Sequence, residues 1–139
     1  MQNTPSQSAE DYLERILELV QETGQARVVD IANSLNIRQA SVTNMVKKLC
    51  ETGFVEHEKY KRGLVLTMEG REVAERIQPR HATLSRFFSL LELDGETQQR
   101  DIEGIEHHLS RDTVNALEDL ASFFEENPVV LKRFLKSRA

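Results

Sequence analysis

A chain of 139 residues, 39% of them apolar, suits one packed domain or two small ones sharing a core, and it holds no run of eighteen apolar residues that would span a membrane. The formal charge of −5, from 18 Lys/Arg against 23 Asp/Glu, argues globally against a nucleic-acid ligand. A single cysteine, Cys50, excludes an intramolecular disulfide, and the start has no signal-peptide pattern, so the expected compartment is the reducing cytoplasm.

The charge is unevenly spread. Between Arg38 and Arg62, six cations (Arg38, Lys47, Lys48, Lys59, Lys61 and Arg62) face three acids (Glu51, Glu56 and Glu58). Upstream, 1–8 is polar and is expected to fray. Ser8 is positioned to cap a helix starting at Ala9, and Leu13, Ile16, Leu17 and Val20 follow its i, i+3, i+4, i+7 stripe. Gly24 stops it. Asp11 and Glu14 lie off that stripe, where charges ordinarily face water.

Arg27–Leu35 reads as a short helix, Asn36-Ile37 as a tight turn, and Gln39–Thr52 as a second helix. Val42, Met45, Val46 and Leu49 turn inward. The other face shows Gln39, Ser41, Thr43, Asn44, Lys47 and Lys48, with Arg38 just before them. Asn and Gln match adenine edges, and Ser and Thr reach bases or phosphates; an ordinary solvated face has the same composition. The following segment favours the DNA-reading interpretation. Phe54–Glu58 and Leu64–Thr67 read as strands around the basic loop Lys59-Tyr60-Lys61-Arg62-Gly63. A helix-turn-helix followed by such a hairpin is a winged helix, with wing cations placed to grip phosphate.

The rest reads as helical. Thr67 caps a helix over about Met68–Leu91, with core positions Val73, Ile77, Leu84, Phe88 and Leu91, and Pro79 is expected to kink it. Leu93–Gly95 makes a turn, Glu96–Leu109 is a helix, Ser110 caps another, Asn127-Pro128 breaks it, and Val129–Lys136 is the last. The expected fold is mostly α. Residues 1–70 form a winged helix-turn-helix of three helices and a two-stranded wing, and 71–139 an all-helical metal-binding and dimerisation domain. The second half carries more apolar surface than a small subdomain needs, which points to a dimer contact.

Catalytic patterns are missing. No His-Glu-x-x-His, Gly-x-Ser-x-Gly or phosphate-binding glycine loop occurs, and Cys50 near a helix end reads as structural. The informative run is Asp101–Ser110. On a helix, Glu103, Glu106 and His107 stand at i, i+3 and i+4 and share a face, a half-site for a divalent cation that takes oxygen and nitrogen donors. Two such carboxylates repel one another unless solvated or neutralised. His108 is about 100° around that helix from His107 and cannot face the same ion equally. His57 reads as a surface or packing residue, and His81 by itself is equally a surface residue or a ligand.

Five segments, Ala9-Glu10-Asp11-Tyr12-Leu13-Glu14, Ser41-Val42-Thr43-Asn44-Met45-Val46-Lys47-Lys48-Leu49, Arg62-Gly63-Leu64-Val65-Leu66-Thr67, Arg80-His81 and Glu103-Gly104-Ile105-Glu106-His107-His108, together resemble the diphtheria-toxin-repressor family in its manganese transport regulator branch. The resemblance runs from about Thr4 to Phe124. It implies a non-enzymatic, homodimeric, metal-activated repressor of manganese-uptake genes, bound to double-stranded operator DNA, with neither a membrane nor a small-molecule substrate. Carried over by position, the metal ligands are Asp11, Glu14, His81, Glu103, Glu106 and His107. They would hold two close Mn²⁺ ions per subunit, with Fe²⁺, Zn²⁺, Cd²⁺ or Co²⁺ as substitutes. The SH3-like third domain of iron-responsive relatives is expected to be absent. Asp11 stands where those relatives have a methionine, and a carboxylate suits a hard ion. Pro79, just before His81, and Gln39, where proline is frequent, depart from the family pattern. The alternative is a winged-helix regulator responding to iron or to an organic ligand.

Overall fold

The computed structural model describes residues 4–59 and 63–138. The elements run α1 (Gln7–Thr23), α2 (Val28–Leu35), α3 (Gln39–Glu51), β1 (Val55–His57), β2 (Leu64–Leu66), α4 (Met68–Leu90), α5 (Gly95–Ile105), α6 (Arg111–Glu126) and α7 (Pro128–Ser137). The chain divides into two compact units, the division falling between Ile77 and Gln78 within α4. None of the described helices is long and apolar enough to cross a membrane.

In the first unit, α1 starts earlier than expected. Ser6, not Ser8, is the N-cap, with extended backbone and an Oγ that accepts from the Ala9 amide at 3.1 Å. Both serines are competent caps; the earlier one brings Gln7 and Ser8 into the first turn ahead of Ala9 and Glu10, which are buried. Leu13, Ile16 and Leu17 are buried as the stripe required, and Gly24 closes the helix at φ 82°, its amide bonded to the Val20 carbonyl. The N-terminus of α2 is held by Asp30, whose Oδ2 accepts from the Arg27 amide at 3.1 Å. Asn36, at φ 55°, makes the left-handed turn into α3, a conformation its short polar side chain tolerates. Val42, Val46 and Leu49 of α3 pack into the same core as α1.

The hairpin is shorter than the sequence suggested. β1 and β2 pair antiparallel with Val55 opposite Leu66 and His57 opposite Leu64. Ala26 adds an isolated bridge to Leu64, whose amide donates to the Ala26 carbonyl at 2.7 Å. Phe54 and Thr67 extend the pairing by one bond, from the Thr67 amide to the Phe54 carbonyl at 3.1 Å, before the chain turns into α4. Thr67 Oγ1 donates to the Gly53 carbonyl at 2.6 Å and accepts from the Gly70 amide at 3.1 Å, which makes it the cap of α4. Gly70 lies against the hairpin root so closely that a Cβ there would stand 2.0 Å from the Phe54 carbonyl oxygen. Val73 and Ala74, one turn on, complete this core.

In the second unit, α4 continues unbroken across Pro79 to Leu90 and contributes the buried Thr83 and Leu84. Asp94 caps α5, accepting from the Thr97 amide at 2.8 Å, and these bonds hold its carboxyl below the ordinary aspartate range. Helix α5 stops at Ile105, short of the expected Leu109. The reason lies just ahead. Ser110 takes an extended conformation (ψ 160°) so that its Oγ can cap α6, and the chain must leave helical geometry before reaching it. Pro128 opens α7 at its first helical position, where no amide is required. Arg86 ties α4 to α6 through Glu125 and through Ser122 Oγ at 2.7 Å. Leu120, Phe123, Val129, Val130 and Phe134 remain exposed on α6 and α7.

Candidate metal centre and DNA-reading face

The second unit gathers three of the expected ligands. Glu106 is the C-cap of α5, His107 is the next residue, and His81 comes from α4. The Glu106 side chain is 2% exposed and that of His107 is 1% exposed, whereas that of His81 is 40% exposed. Each oxygen of the Glu106 carboxylate meets an imidazole nitrogen: His81 Nδ1 lies 2.9 Å from Oε2, and His107 Nε2 lies 3.5 Å from Oε1. A carboxylate this deep is costly unless it is hydrogen-bonded or faces positive charge. Oxygen and imidazole donors on a desolvated carboxylate fit a hard-to-borderline divalent ion. Arg80, beside His81 on α4, donates from Nη1 to the Glu106 main-chain carbonyl at 3.2 Å.

The helical course holds as far as Glu106, which keeps helical dihedrals (φ −59°, ψ −26°) with its amide on the Ile102 carbonyl at 2.9 Å. Glu103, Glu106 and His107 were expected on one helical face. The structure ends the helix at Ile105, so Glu106 and His107 are presented by a cap and a turn. Glu103 is exposed one turn earlier, and its Oε1 accepts from Gln99 Nε2 at 3.4 Å. His108 is exposed, as its angular offset suggested, and so is His57.

In the first unit, Asp11 is half-buried and Glu14 is 7% exposed, so the ordinary expectation of solvated charges on α1 fails for Glu14. Glu10 is buried as well and pairs with Arg76 of α4 at 3.2 Å. A signal was present: residues 10, 13, 14 and 17 themselves form an i, i+3, i+4, i+7 stripe, which puts Glu10 and Glu14 beside Leu13 and Leu17.

The DNA-reading candidates Arg38, Gln39, Ser41, Thr43, Asn44, Lys47 and Lys48 are all exposed, opposite the buried stripe of α3. Lys59 is exposed at the end of the hairpin, and Lys61 and Arg62 lie outside the described residues. Burial raises the Cys50 thiol above the usual range, with Glu51 and Glu56 adding to the effect, in keeping with an inert cysteine.

A helix-turn-helix with a β-hairpin, joined to a helical unit that buries a carboxylate between imidazoles, is the architecture of a metal-binding transcriptional regulator. The family model for the iron dependent repressor N-terminal DNA binding domain matches residues 5–64, and that for the iron dependent repressor metal binding and dimerisation domain matches 67–135. The chain is 46% identical over 123 residues to the HTH-type transcriptional regulator MntR of Geobacillus kaustophilus (88% of this chain, 86% of that one). It is 42% identical over 134 residues to the MntR of Lysinibacillus sphaericus (96% of each). Among solved structures, that of the manganese regulator SloR superposes with a TM-score of 0.71 at 27% identity, covering 87% of this chain and 55% of that one. This chain therefore spans just over half the length of that solved relative. The chain belongs to the iron-dependent repressor family, that of the diphtheria-toxin repressor.

Proposed function

We propose that this protein is a manganese-responsive transcriptional repressor. It acts in the cytoplasm as a homodimer that binds double-stranded operator DNA and controls metal-uptake genes when its sensor is loaded. The observation that carries this reading is the Glu106 carboxylate, 2% exposed and held between His81 and His107, in a chain that is 42–46% identical to MntR regulators.

The proposed ligands are Asp11 and Glu14 from α1, His81 from α4, Glu103 from α5, and Glu106 and His107 from its C-terminal cap and turn. Four carboxylates serving one site repel each other strongly, since unit charges in a partly desolvated setting interact by several kcal/mol at about 4 Å. Two divalent ions per subunit would supply the missing positive charge. Asp11 favours Mn²⁺ among these, with Fe²⁺, Zn²⁺, Cd²⁺ and Co²⁺ as competitors. Helix α1 packs in the core that holds α3, so ordering the acidic residues of α1 steadies the element that reads DNA. A dimer must present its two α3 helices to successive major grooves, about 34–36 Å apart, and loading favours the population that does so. Gln39, Ser41, Thr43 and Asn44 face bases, while Arg38, Lys47, Lys48, Lys59, Lys61 and Arg62 bind phosphates.

A gel-shift titration with Mn²⁺, Fe²⁺, Zn²⁺ and chelator, on DNA upstream of the cell's metal-uptake genes, tests this. Retardation that requires Mn²⁺ and is abolished by chelator is expected. Undiminished retardation in chelator overturns the sensor, and a response to Fe²⁺ but not Mn²⁺ moves the protein to the iron-responsive alternative.

A further inference from the structure

We infer that Arg80 is a positioning residue for the metal sensor, acting through the main chain of Glu106. The inference rests on the proposed metal reading. Carbonyls at a helix C-terminus have no partner within the helix and need an outside donor. Glu106 is the C-cap of α5, and Arg80 Nη1 meets its carbonyl at 3.2 Å. The next residue of α4, His81, reaches the side chain of the same Glu106 at 2.9 Å. Two adjacent residues on one helix therefore hold the backbone and the carboxylate of a single ligand.

Adjacent helix positions diverge by about 100°, so both reach one target only because the arginine side chain is long. Within α5 and its turn, residues 106–108 are held by the bonds from the Glu106 amide to Ile102 and from the His108 amide to Ile105. These bonds are local and leave the rotation of the turn about α5 to outside contacts. Arg80 supplies one.

The choice of atom matters. A guanidinium on the carboxylate oxygens would neutralise them and compete with a cation. On the carbonyl it orients Glu106 while leaving both carboxylate oxygens to the imidazoles. Arg80 is thus an orienting cation and not a counterion.

The test uses the full chain. Arg80→Met keeps length but removes donors and charge, and Arg80→Lys keeps charge and a donor. Mn²⁺ calorimetry gives affinity and stoichiometry. Hydrogen exchange of the metal-free protein, read on peptides covering 103–110, reports the turn without any metal. Arg80→Met is expected to weaken Mn²⁺ binding by about 10- to 100-fold at unchanged stoichiometry, as loss of a partner that orients a ligand does. Exchange should rise in 103–110 and not in α1–α3, and Arg80→Lys should recover most of both. Unchanged or tighter Mn²⁺ binding in Arg80→Met overturns the inference, because the charge of Arg80 would then be idle or merely opposed to the ion. Unchanged exchange in 103–110 overturns it too. If the wild-type chain takes up no Mn²⁺, the functional reading fails instead, while the exchange comparison still decides whether Arg80 holds the turn. Should Arg80→Met lose its helical circular dichroism, Arg80→Gln, polar but too short to reach, takes its place with the same outcomes.

Discussion

At Glu106 a carboxylate with 2% of its surface in water faces His81 and His107, and losing either imidazole takes the partner from one of its oxygens. His81 is the sharper probe because its side chain is 40% exposed, so truncation leaves little cavity. His81→Ala should lower Mn²⁺-dependent operator affinity by more than about 100-fold, beyond what loss of an orienting partner costs, while far-ultraviolet circular dichroism stays that of the wild type. Fluorescence anisotropy on labelled operator at limiting Mn²⁺ measures it, and normal binding removes His81 from the ligand set. At this scale the sequence was legible where chemistry clustered and silent where geometry decided. Glu106 and His107 stood out by type and spacing. His81 was ambiguous, because a lone histidine on a helix carries no mark of which partner the fold brings to it. Arg80 entered only as half of a dipeptide, since a bond to a main-chain carbonyl leaves no trace in residue type.

The elements were easier to read than their ends. Apolar spacing located α1, α3 and α4, but two competent serines stood before α1, and the end of α5 was set by the cap of the helix after it. The hairpin was visible as two short strand-like segments around a basic, glycine-containing loop. Its coupling to α4 was not, because nothing in the sequence states that Gly70 approaches a carbonyl. That approach makes a firm prediction. In Gly70→Ala, the new methyl would stand 2.0 Å from the Phe54 oxygen, and backbone on both sides leaves no flexible side chain to yield. The substitution should destabilise the chain by about 3 kcal/mol, the upper end for overpacking, despite the better helix propensity of alanine. A chemical-denaturation curve would show a lower midpoint, and an unchanged midpoint would mean the junction relaxes freely.

For the whole molecule, the net charge of −5 conceals a basic segment within the stretch that matches a DNA-binding domain, and composition alone would have pointed away from nucleic acid. The class became legible through the order of elements, a helix-turn-helix, a hairpin and then helices only. Two bulk measurements follow. Lys47→Ala should weaken operator binding about equally for matched and mismatched sequences, and should reduce the slope of log affinity against log salt by about 0.9 if it neutralises one phosphate. A slope equal to that of the wild type excludes Lys47 from the backbone contacts. Metal linked to the folded state must also stabilise it. At a free Mn²⁺ concentration about 100 times the dissociation constant, each site should add about 2.7 kcal/mol, seen as a higher thermal midpoint that chelator reverses. A midpoint indifferent to Mn²⁺ argues against uptake by the native protein.

The hairpin root also bears on how such chains can vary in length. Thr67 and Gly70 both engage the 53–54 backbone, so one oxygen of Phe54 serves as a fixed reference for the start of α4. An inserted residue between Gly53 and Phe54, or between Thr67 and Gly70, would throw that reference out of step. Residues added between Lys59 and Gly63 would leave those contacts, and so the start of α4, untouched. Insertions there are therefore the ones that the contacts of Thr67 and Gly70 with the 53–54 backbone leave room for.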